Sequence, residues 1–365
     1  MAKPEIKKSL QQFDDELKQL YITGQWQYEG LLAACIGGPK PRGEAYLWPW
    51  KMVGEKLAEA CDVLEESVTA RRSLLFNNPG VPMGGTTHTL LMGIQMIKAG
   101  EIAWAHRHTL AAVRFVAKGD GKVFTVVNGE KCPMQPNDLI LTPQWTWHDH
   151  QNPTKETAMW VDVLDVPFML GLNQPFYEPY PGDKVQAVRD KPSEHLQQRA
   201  GWVRPVWENS QKENLPLRYA WKDVEPQLRA LADQPGSPYD GVALEYVNPM
   251  TGGPTLPTLS CWIQLLRPGE HTKKHRHTSS AVYFAAGGEG TTIVGDKALE
   301  WTKNDCFAVP NWAWHEHVNR SMSEEALLFS VNDSPIVNAF GHYREEPEVS
   351  LRSMSIPAVP VPKSK

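Results

Sequence analysis

The chain repeats itself, and no other feature of the sequence constrains its fold as strongly. The stretch Thr89-Leu90-Leu91-Met92-Gly93-Ile94-Gln95 returns as Thr258-Leu259-Ser260-Cys261-Trp262-Ile263-Gln264. Gly100-Glu101 is answered by Gly269-Glu270, and His106-Arg107-His108-Thr109 by His275-Arg276-His277-Thr278, all at one offset of 169 residues. Asn137-Asp138 then matches Asn304-Asp305. Pro143-Gln144-Trp145-Thr146-Trp147-His148-Asp149-His150-Gln151-Asn152 matches Pro310-Asn311-Trp312-Ala313-Trp314-His315-Glu316-His317-Val318-Asn319. So many identities in fixed order mean two copies of one domain. With 30 prolines and 27 glycines the chain carries many turn signals, so that domain is expected to be built of short strands.

The repeats set the expected organisation: an N-terminal helical arm over 1–75, a first domain over 76–172, a connector over 173–250, a second domain over 251–345 and a tail over 346–365. Apolar residues at Leu10, Phe13, Leu17 and Leu20 predict a surface helix within Lys7–Tyr21. Lys56–Val63 and Lys222–Asp233 read as two further helices. The Pro- and Ser-rich tail is expected to be loosely ordered. A net charge of -5 without any Lys/Arg block argues against a nucleic-acid partner. The first residues lack the apolar run of a signal peptide, and no apolar stretch is long enough to span a bilayer. Cys35, Cys61, Cys132, Cys261 and Cys306 are scattered and odd in number, which fits free thiols and a cytoplasmic protein.

Of the 12 histidines, eight fall inside the repeated blocks. On a strand, residues i and i+2 share a face, so His106 and His108 can aim together into a barrel, as can His148 and His150. Three neutral imidazoles from two strands form a cap that leaves other metal positions open. One H-x-H alone would read as a pair of polar residues on an exposed strand. Two such pairs, each followed by P-x-W-x-W-H-x-H-x-N, read as metal sites. Counting by twos from His106 reaches Arg114, so a cation faces the same interior. It can clamp a substrate carboxylate in bidentate geometry, or pair with a carboxylate of the barrel itself. In the second copy that position is Tyr283.

At these residues the chain resembles the cupin superfamily, and more narrowly the bicupin gentisate 1,2-dioxygenase and salicylate 1,2-dioxygenase group. The shared segments are H-R-H-x-x-x-A-x-R-F, N-D-L-I-L-T-P-x-W-x-x-H-x-H-x-N, W-V-D-V-L-D-V-P-F and Y-V-N-P-x-T-G-G-x-x-x-P-T-L, from about Trp48 onward. The resemblance implies an all-β dominated fold of two double-stranded β-helix, or jelly-roll, barrels with peripheral helices. Many cupins add a Glu ligand after the second His; Ala112 and Val113 stand there, as in the three-His iron site of this group. The implied Fe(II) ligands are His106, His108 and His148, with a possible second metal site at His275, His277 and His315. Catalytic roles fall to His150, near the ring hydroxyl, and to Asp162. Substrate contacts fall to Arg114, to Arg71 (or its neighbour Arg72), and to the wall Leu91-Met92-Gly93. That wall departs from the aromatic-Ala-Gly of the group, and Ser67 stands where the salicylate enzyme has a further Arg.

The expected reaction is oxygen-dependent opening of a carboxylated phenol between the carboxyl-bearing carbon and its hydroxylated neighbour. Gentisate leads, followed by salicylate, substituted salicylates such as 5-nitrosalicylate, and 1-hydroxy-2-naphthoate. Expected partners are a small aromatic acid, dioxygen and further copies of the chain in a homotetramer. The rivals are a cupin isomerase or decarboxylase, and a non-enzymatic bicupin. With Tyr283 for Arg114 and Cys261-Trp262 for Met92-Gly93, the second domain is expected to be catalytically silent, serving packing or assembly.

Overall fold

A computed structural model describes residues 8–64, 72–182, 184–189 and 216–348. The chain divides at Lys40/Pro41 into a small N-terminal unit and one large unit. Within the small unit, helix α1 (Leu10–Gln19) begins at a capping box, where Ser9 Oγ accepts from Gln12 N and the Gln12 side chain accepts from Ser9 N. Helix α2 (Glu29–Ala34) follows. None of the helices among the described residues is long and apolar enough to cross a membrane.

The large unit opens with β1 (Tyr46–Trp48), α3 (Trp50–Val63) and β2 (Arg72–Leu75). The first barrel follows: β3 (Leu91–Ile97), β4 (Ile102–His108), β5 (Ala112–Lys118), β6 (Phe124–Val127), β7 (Glu130–Pro133), β8 (Leu139–Thr142), β9 (His148–Gln151) and β10 (Ala158–Leu164). Helix α4 (Val166–Gly171), β11 (Tyr177–Pro179), β12 (Arg218–Tyr219), α5 (Trp221–Ala230) and β13 (Val242–Glu245) connect the halves. The second barrel has β14 (Ser260–Leu266), β15 (His275–His277), β16 (Ala281–Gly287), β17 (Glu289–Val294), β18 (Lys297–Thr302), β19 (Cys306–Val309), β20 (His315–Asn319) and β21 (Ala326–Asn332), then α6 (Ser334–Ala339) and β22 (Glu345–Pro347). Each half folds two antiparallel sheets against each other, in the orders β12-β8-β5-β10-β3-β2 with β11-β4-β9-β6-β7, and β1-β19-β16-β21-β14-β13 with β18-β17-β20-β15-β22. This is the two-barrel, all-β dominated architecture that the repeats predict. The arm and connector contribute strands as well as helices. Segment 1–75 sends β1 across to β19 of the second barrel, pairing Leu47 with Phe307.

Alternation along the strands sorts side chains into two cores. Met92, Ile94, Val113, Phe115, Val161 and Val163 face outward from the first barrel. They meet Cys261, Ile263, Leu265, Val282, Phe284, Phe329 and Val331 of the second in one continuous buried layer. Phe115 stacks on Phe329 with centroids 4.1 Å apart at 13°. Truncating either ring to Ala is expected to cost about 3–5 kcal/mol. The intervening residues point into the barrels.

The repeated Asp residues tie the connections down. Asp305 accepts from Trp50 N at the start of α3, and Asp138 accepts from Trp221 N at the start of α5 at 2.8 Å. In each case an acid of one barrel satisfies an orphan donor at a helix N-terminus, where the helix dipole also favours it. A second reciprocal contact joins the halves. Thr258 Oγ1 donates to Asp165 Oδ2 at 2.7 Å, and Thr89 Oγ1 donates to Asp333 Oδ2. Asp165 also receives Ala111 N, and Asp333 receives Ser280 N. Of the three helices expected, Leu10–Gln19 lies within 7–21, Trp50–Val63 extends the predicted 56–63 by six residues, and Trp221–Ala230 falls at 222–233. Of the tail, the part beyond 348 lies outside the described residues.

Candidate metal centre

Strands β4 and β9 pair with His106 opposite His148. The ligand atoms of His106, His108 and His148 all lie within 4.8 Å of one another, and all three rings are buried. Each Nδ1 sits 2.9 Å from a backbone carbonyl: Trp104 O for His106, Leu110 O for His108 and Thr146 O for His148. A carbonyl oxygen only accepts, so each Nδ1 carries a proton, and in the neutral ring Nε2 is the nitrogen left to ligate. Burial first, and then the neighbouring imidazoles, hold His148 well below the ordinary imidazole range, which keeps it neutral. Three neutral nitrogen donors at this spacing fit a transition-metal cofactor.

The rest of the repeated motif locks these strands together. The Arg107 guanidinium lies 4.4 Å from the ring centroids of both Trp145 and Trp147 and donates to Glu178. Trp145 holds a left-handed φ of 60°, and its N–H bonds to His108 O at 2.8 Å. The Arg between the two ligand histidines therefore clamps the turn that delivers the third. Arg276 repeats this in the second barrel, 4.2 Å from Trp312 and 4.5 Å from Trp314, and Trp312 has φ 58°.

Arg114 points inward, as the parity argument requires, and there the barrel carboxylate meets it. Arg114 Nη2 lies 2.8 Å from Asp162 Oδ1, its direct cross-strand neighbour, with both side chains buried. Trp160 Nε1 holds the other Asp162 oxygen at 2.9 Å, and its ring lies 5.0 Å from the guanidinium. Arg114 Nη1 reaches Thr125 Oγ1 at 3.2 Å and His150 Nδ1 at 3.1 Å. Arginine only donates, so His150 Nδ1 accepts, and the neutral ring carries its proton on Nε2. Thr125 and Trp160 complete this network and were not singled out from the sequence. Thr292 contacts His317 Nδ1 at 2.9 Å in the second barrel, so the signal was a Thr recurring between the two histidine motifs.

The wall residues divide by face. Gly93 pairs with Asp162 across the β3–β10 ladder, so Leu91 and Gly93 share the interior face of Arg114. Met92 belongs to the layer between the barrels and is fully buried there, which corrects its expected place in the substrate wall. A Cβ on Gly93 would approach Leu75 Cδ2 to 2.8 Å and the Leu74 carbonyl oxygen to 2.9 Å, so glycine also permits the close approach of β2. Arg72 is engaged in a buried pair with Glu101 at 2.6 Å. Arg71 and Ser67 lie outside the described residues.

The second triad repeats the first. Ring centroids of His275–His277, His275–His315 and His277–His315 lie 5.6, 4.3 and 4.9 Å apart, against 5.5, 4.2 and 4.8 Å for the corresponding pairs of the first barrel. Arg114 is replaced by Tyr283, whose ring stacks on Phe307 at 4.7 Å, and Asp162 by Ser330, which pairs with Tyr283 across the sheet.

Two jelly-roll barrels, each capped by three convergent imidazoles that could hold a metal ion, define a bicupin. The cupin domain model matches residues 93–164 and 262–332. The chain is 44% identical to 1-hydroxy-2-naphthoate 1,2-dioxygenase of Nocardioides sp. (strain KP7), over 97% of this chain and 92% of that protein. It is 36% identical to a gentisate 1,2-dioxygenase of Haloferax sp., over 94% and 99%. The crystal structure of salicylate 1,2-dioxygenase from Pseudoaminobacter salicylatoxidans, as adducts with gentisate, matches with a TM-score of 0.84 at 29% identity, covering 95% of this chain and 96% of that one. The chain belongs to the bicupin family of ring-cleaving 1,2-dioxygenases.

Proposed function

We propose that the first barrel binds Fe(II) through His106, His108 and His148 and opens the ring of an ortho-hydroxylated aromatic acid, with gentisate the leading substrate. The observation that carries this reading is the joining of a neutral three-nitrogen cap to a buried Arg114–Asp162–His150 network in one barrel interior. The bound metal would supply a Lewis-acid centre at which substrate and dioxygen meet. Arg114, held in orientation by Asp162, offers donors for the substrate carboxylate and fixes the ring relative to the cap. His150, whose Nδ1 is occupied by Arg114, presents an Nε2–H. It therefore begins as a hydrogen-bond donor and takes up a proton only after giving this one away. Gly93 and Leu91 bound the same interior.

A second substrate, 1-hydroxy-2-naphthoate, is favoured by the 44% identity to an enzyme of that name and by Leu91 standing where the resemblance leads one to expect an aromatic side chain. The second barrel is proposed to be catalytically silent, and the chain to work as a cytoplasmic homotetramer, for which the free cysteines and the family resemblance are the support. Anaerobic purification with Fe(II), then oxygen-electrode and absorbance assays over gentisate, salicylate, 5-nitrosalicylate and 1-hydroxy-2-naphthoate, tests the reading. Oxygen uptake matched by loss of ring absorbance is expected. Turnover of an aromatic acid without oxygen uptake would leave a cupin isomerase or decarboxylase instead.

A further inference from the structure

We propose that the second barrel holds a metal ion of its own, bound by His275, His277, His315 and the carboxylate of Glu345, as a closed centre that fastens β22 to the barrel. The internal repeat leads to Glu345. In the first barrel β11 pairs with β4, setting Tyr177 opposite His108 and Pro179 opposite His106. In the second, β22 pairs with β15 in the same register, setting Glu345 opposite His277 and Pro347 opposite His275. The flanking contacts repeat as well, Arg107–Glu178 answering Arg276–Glu346. A tyrosine beside the first cap has thus become a carboxylate beside the second.

Its partly exposed carboxylate borders the triad on the His275 side, outside the group of three imidazoles whose ligand atoms all lie within 4.8 Å of one another. Glu345 Oε1 lies 4.0 Å from His275 Nε2, and Tyr343 Oη lies 3.2 Å from the other carboxylate oxygen. Donors sharing one ion at bonds of about 2.1 Å stand about 3–4 Å apart. His315 donates Nδ1–H to Ala313 O at 2.9 Å, and its buried Nε2 has no hydrogen-bond partner among the described residues. An orphaned buried nitrogen aimed at two further imidazoles is a vacant ligand position in chemical terms. His277 is likewise oriented, with Nδ1 2.8 Å from Ser279 O.

The space beside the second triad suits an ion better than an aromatic acid. The cavity bounded by His275, His277, Asp240, Trp262, Tyr283 and Glu345 has a volume of about 40 Å³. That admits an ion with about one water, whereas sites for aromatic ligands run to several hundred Å³. Asp240 and Glu345 border this space, and Tyr283 stands there at the position of Arg114. Three imidazoles and one carboxylate suit a divalent Zn or Co ion, whose tetrahedral sphere four protein ligands complete, the pattern of structural Zn sites. Strand β22 is exposed and held by its ladder to β15 and by the Arg276–Glu346 ion pair, so the ion would be a further anchor.

The test is independent of ring cleavage. Full-length protein is stripped with chelator, reloaded with Co(II), and assayed for metal content, visible d–d spectrum and release to a competing chelator. Wild type is expected to hold one Co(II) at each triad, and H106A/H148A to hold the second ion alone. Adding E345Q to that background should change the spectrum and speed release at least about tenfold, whereas E346Q should do neither. H275A/H315A, with the first centre intact, should bind one ion fewer than wild type, which covers failure of H106A/H148A to fold. Wild type saturating at a single Co(II), or H275A/H315A binding as much as wild type, would overturn the second centre. An E345Q spectrum and release rate equal to the parent's would remove Glu345 from it.

Discussion

In the first barrel the residues facing the imidazole cap are Arg114 and Asp162, an ion pair; in the second they are Tyr283 and Ser330. His150, bonded to Thr125 and Arg114, becomes His317, bonded through Nδ1 to Thr292. Gly93 becomes Trp262, whose Nε1 turns back to Ser260 Oγ at 2.8 Å. Yet the caps match to 0.1 Å in every ring spacing (4.2 against 4.3, 4.8 against 4.9, 5.5 against 5.6 Å). The difference teaches that the geometry of the imidazole cap belongs to the backbone and its Arg–Trp clamp, and that a few interior side chains can change without disturbing it. A buried arginine requires its acid, and the second barrel has neither at these positions.

The comparison breaks most visibly at the ligands. His106→Ala, His108→Ala or His148→Ala should each strip the first metal and lower turnover at least about a hundredfold; full metal content with normal turnover in any one would end the assignment. Arg114→Ala should leave the metal bound but cost about 2–5 kcal/mol, at least about a tenfold fall in kcat/KM for carboxylated substrates. Unchanged kinetics would mean that the Arg114–Asp162 pair is structural only. On the other side, H275A/H277A should keep turnover per first-site metal within about twofold of wild type. A loss of most turnover in a normally folded variant would show that the second barrel is not silent.

The smallest effect concerns the acid that joins the halves. Burial raises Asp165 from an ordinary carboxyl value to about 6, against the opposing bonds from Thr258 and Ala111. A carboxyl raised in the folded state contributes stability that is present below about pH 4 and is lost as pH rises through about 6. Asp165→Asn keeps an acceptor for Ala111 N and cannot ionise. The melting temperature of D165N minus that of wild type should therefore increase by roughly 2–4 °C between pH 4 and pH 7. A pH-independent difference would mean that Asp165 does not titrate in this window.

Much of this was legible beforehand because the histidines, the inward arginine and the two barrels all rest on period-two alternation and on the repeat. What stayed hidden depends on which strands become neighbours. Met92 sits beside Gly93 in sequence, but only the ladder to β10 shows that Gly93 shares a face with Asp162 while Met92 packs toward the other barrel. Arg114 and Asp162 are 48 residues apart and meet only because β5 and β10 pair in that register. The likeness of Glu178-Pro179 to Glu346-Pro347 is too short to notice until β11 and β22 are seen on equivalent strands.

The exchanged contacts Thr258–Asp165 and Thr89–Asp333 have the signature of a two-fold isologous interface, in which residue i of one body meets j of the other and j meets i. Here both bodies belong to one polypeptide. Cutting the chain between them would deprive each acid of the threonine hydroxyl of the other barrel and leave a sheet of leucine, valine and phenylalanine exposed to water. The two barrels therefore behave as a dimer whose effective concentration is set by a covalent tether. A single-barrel fragment expressed alone is expected to recover its lost partner by pairing with a second copy of itself.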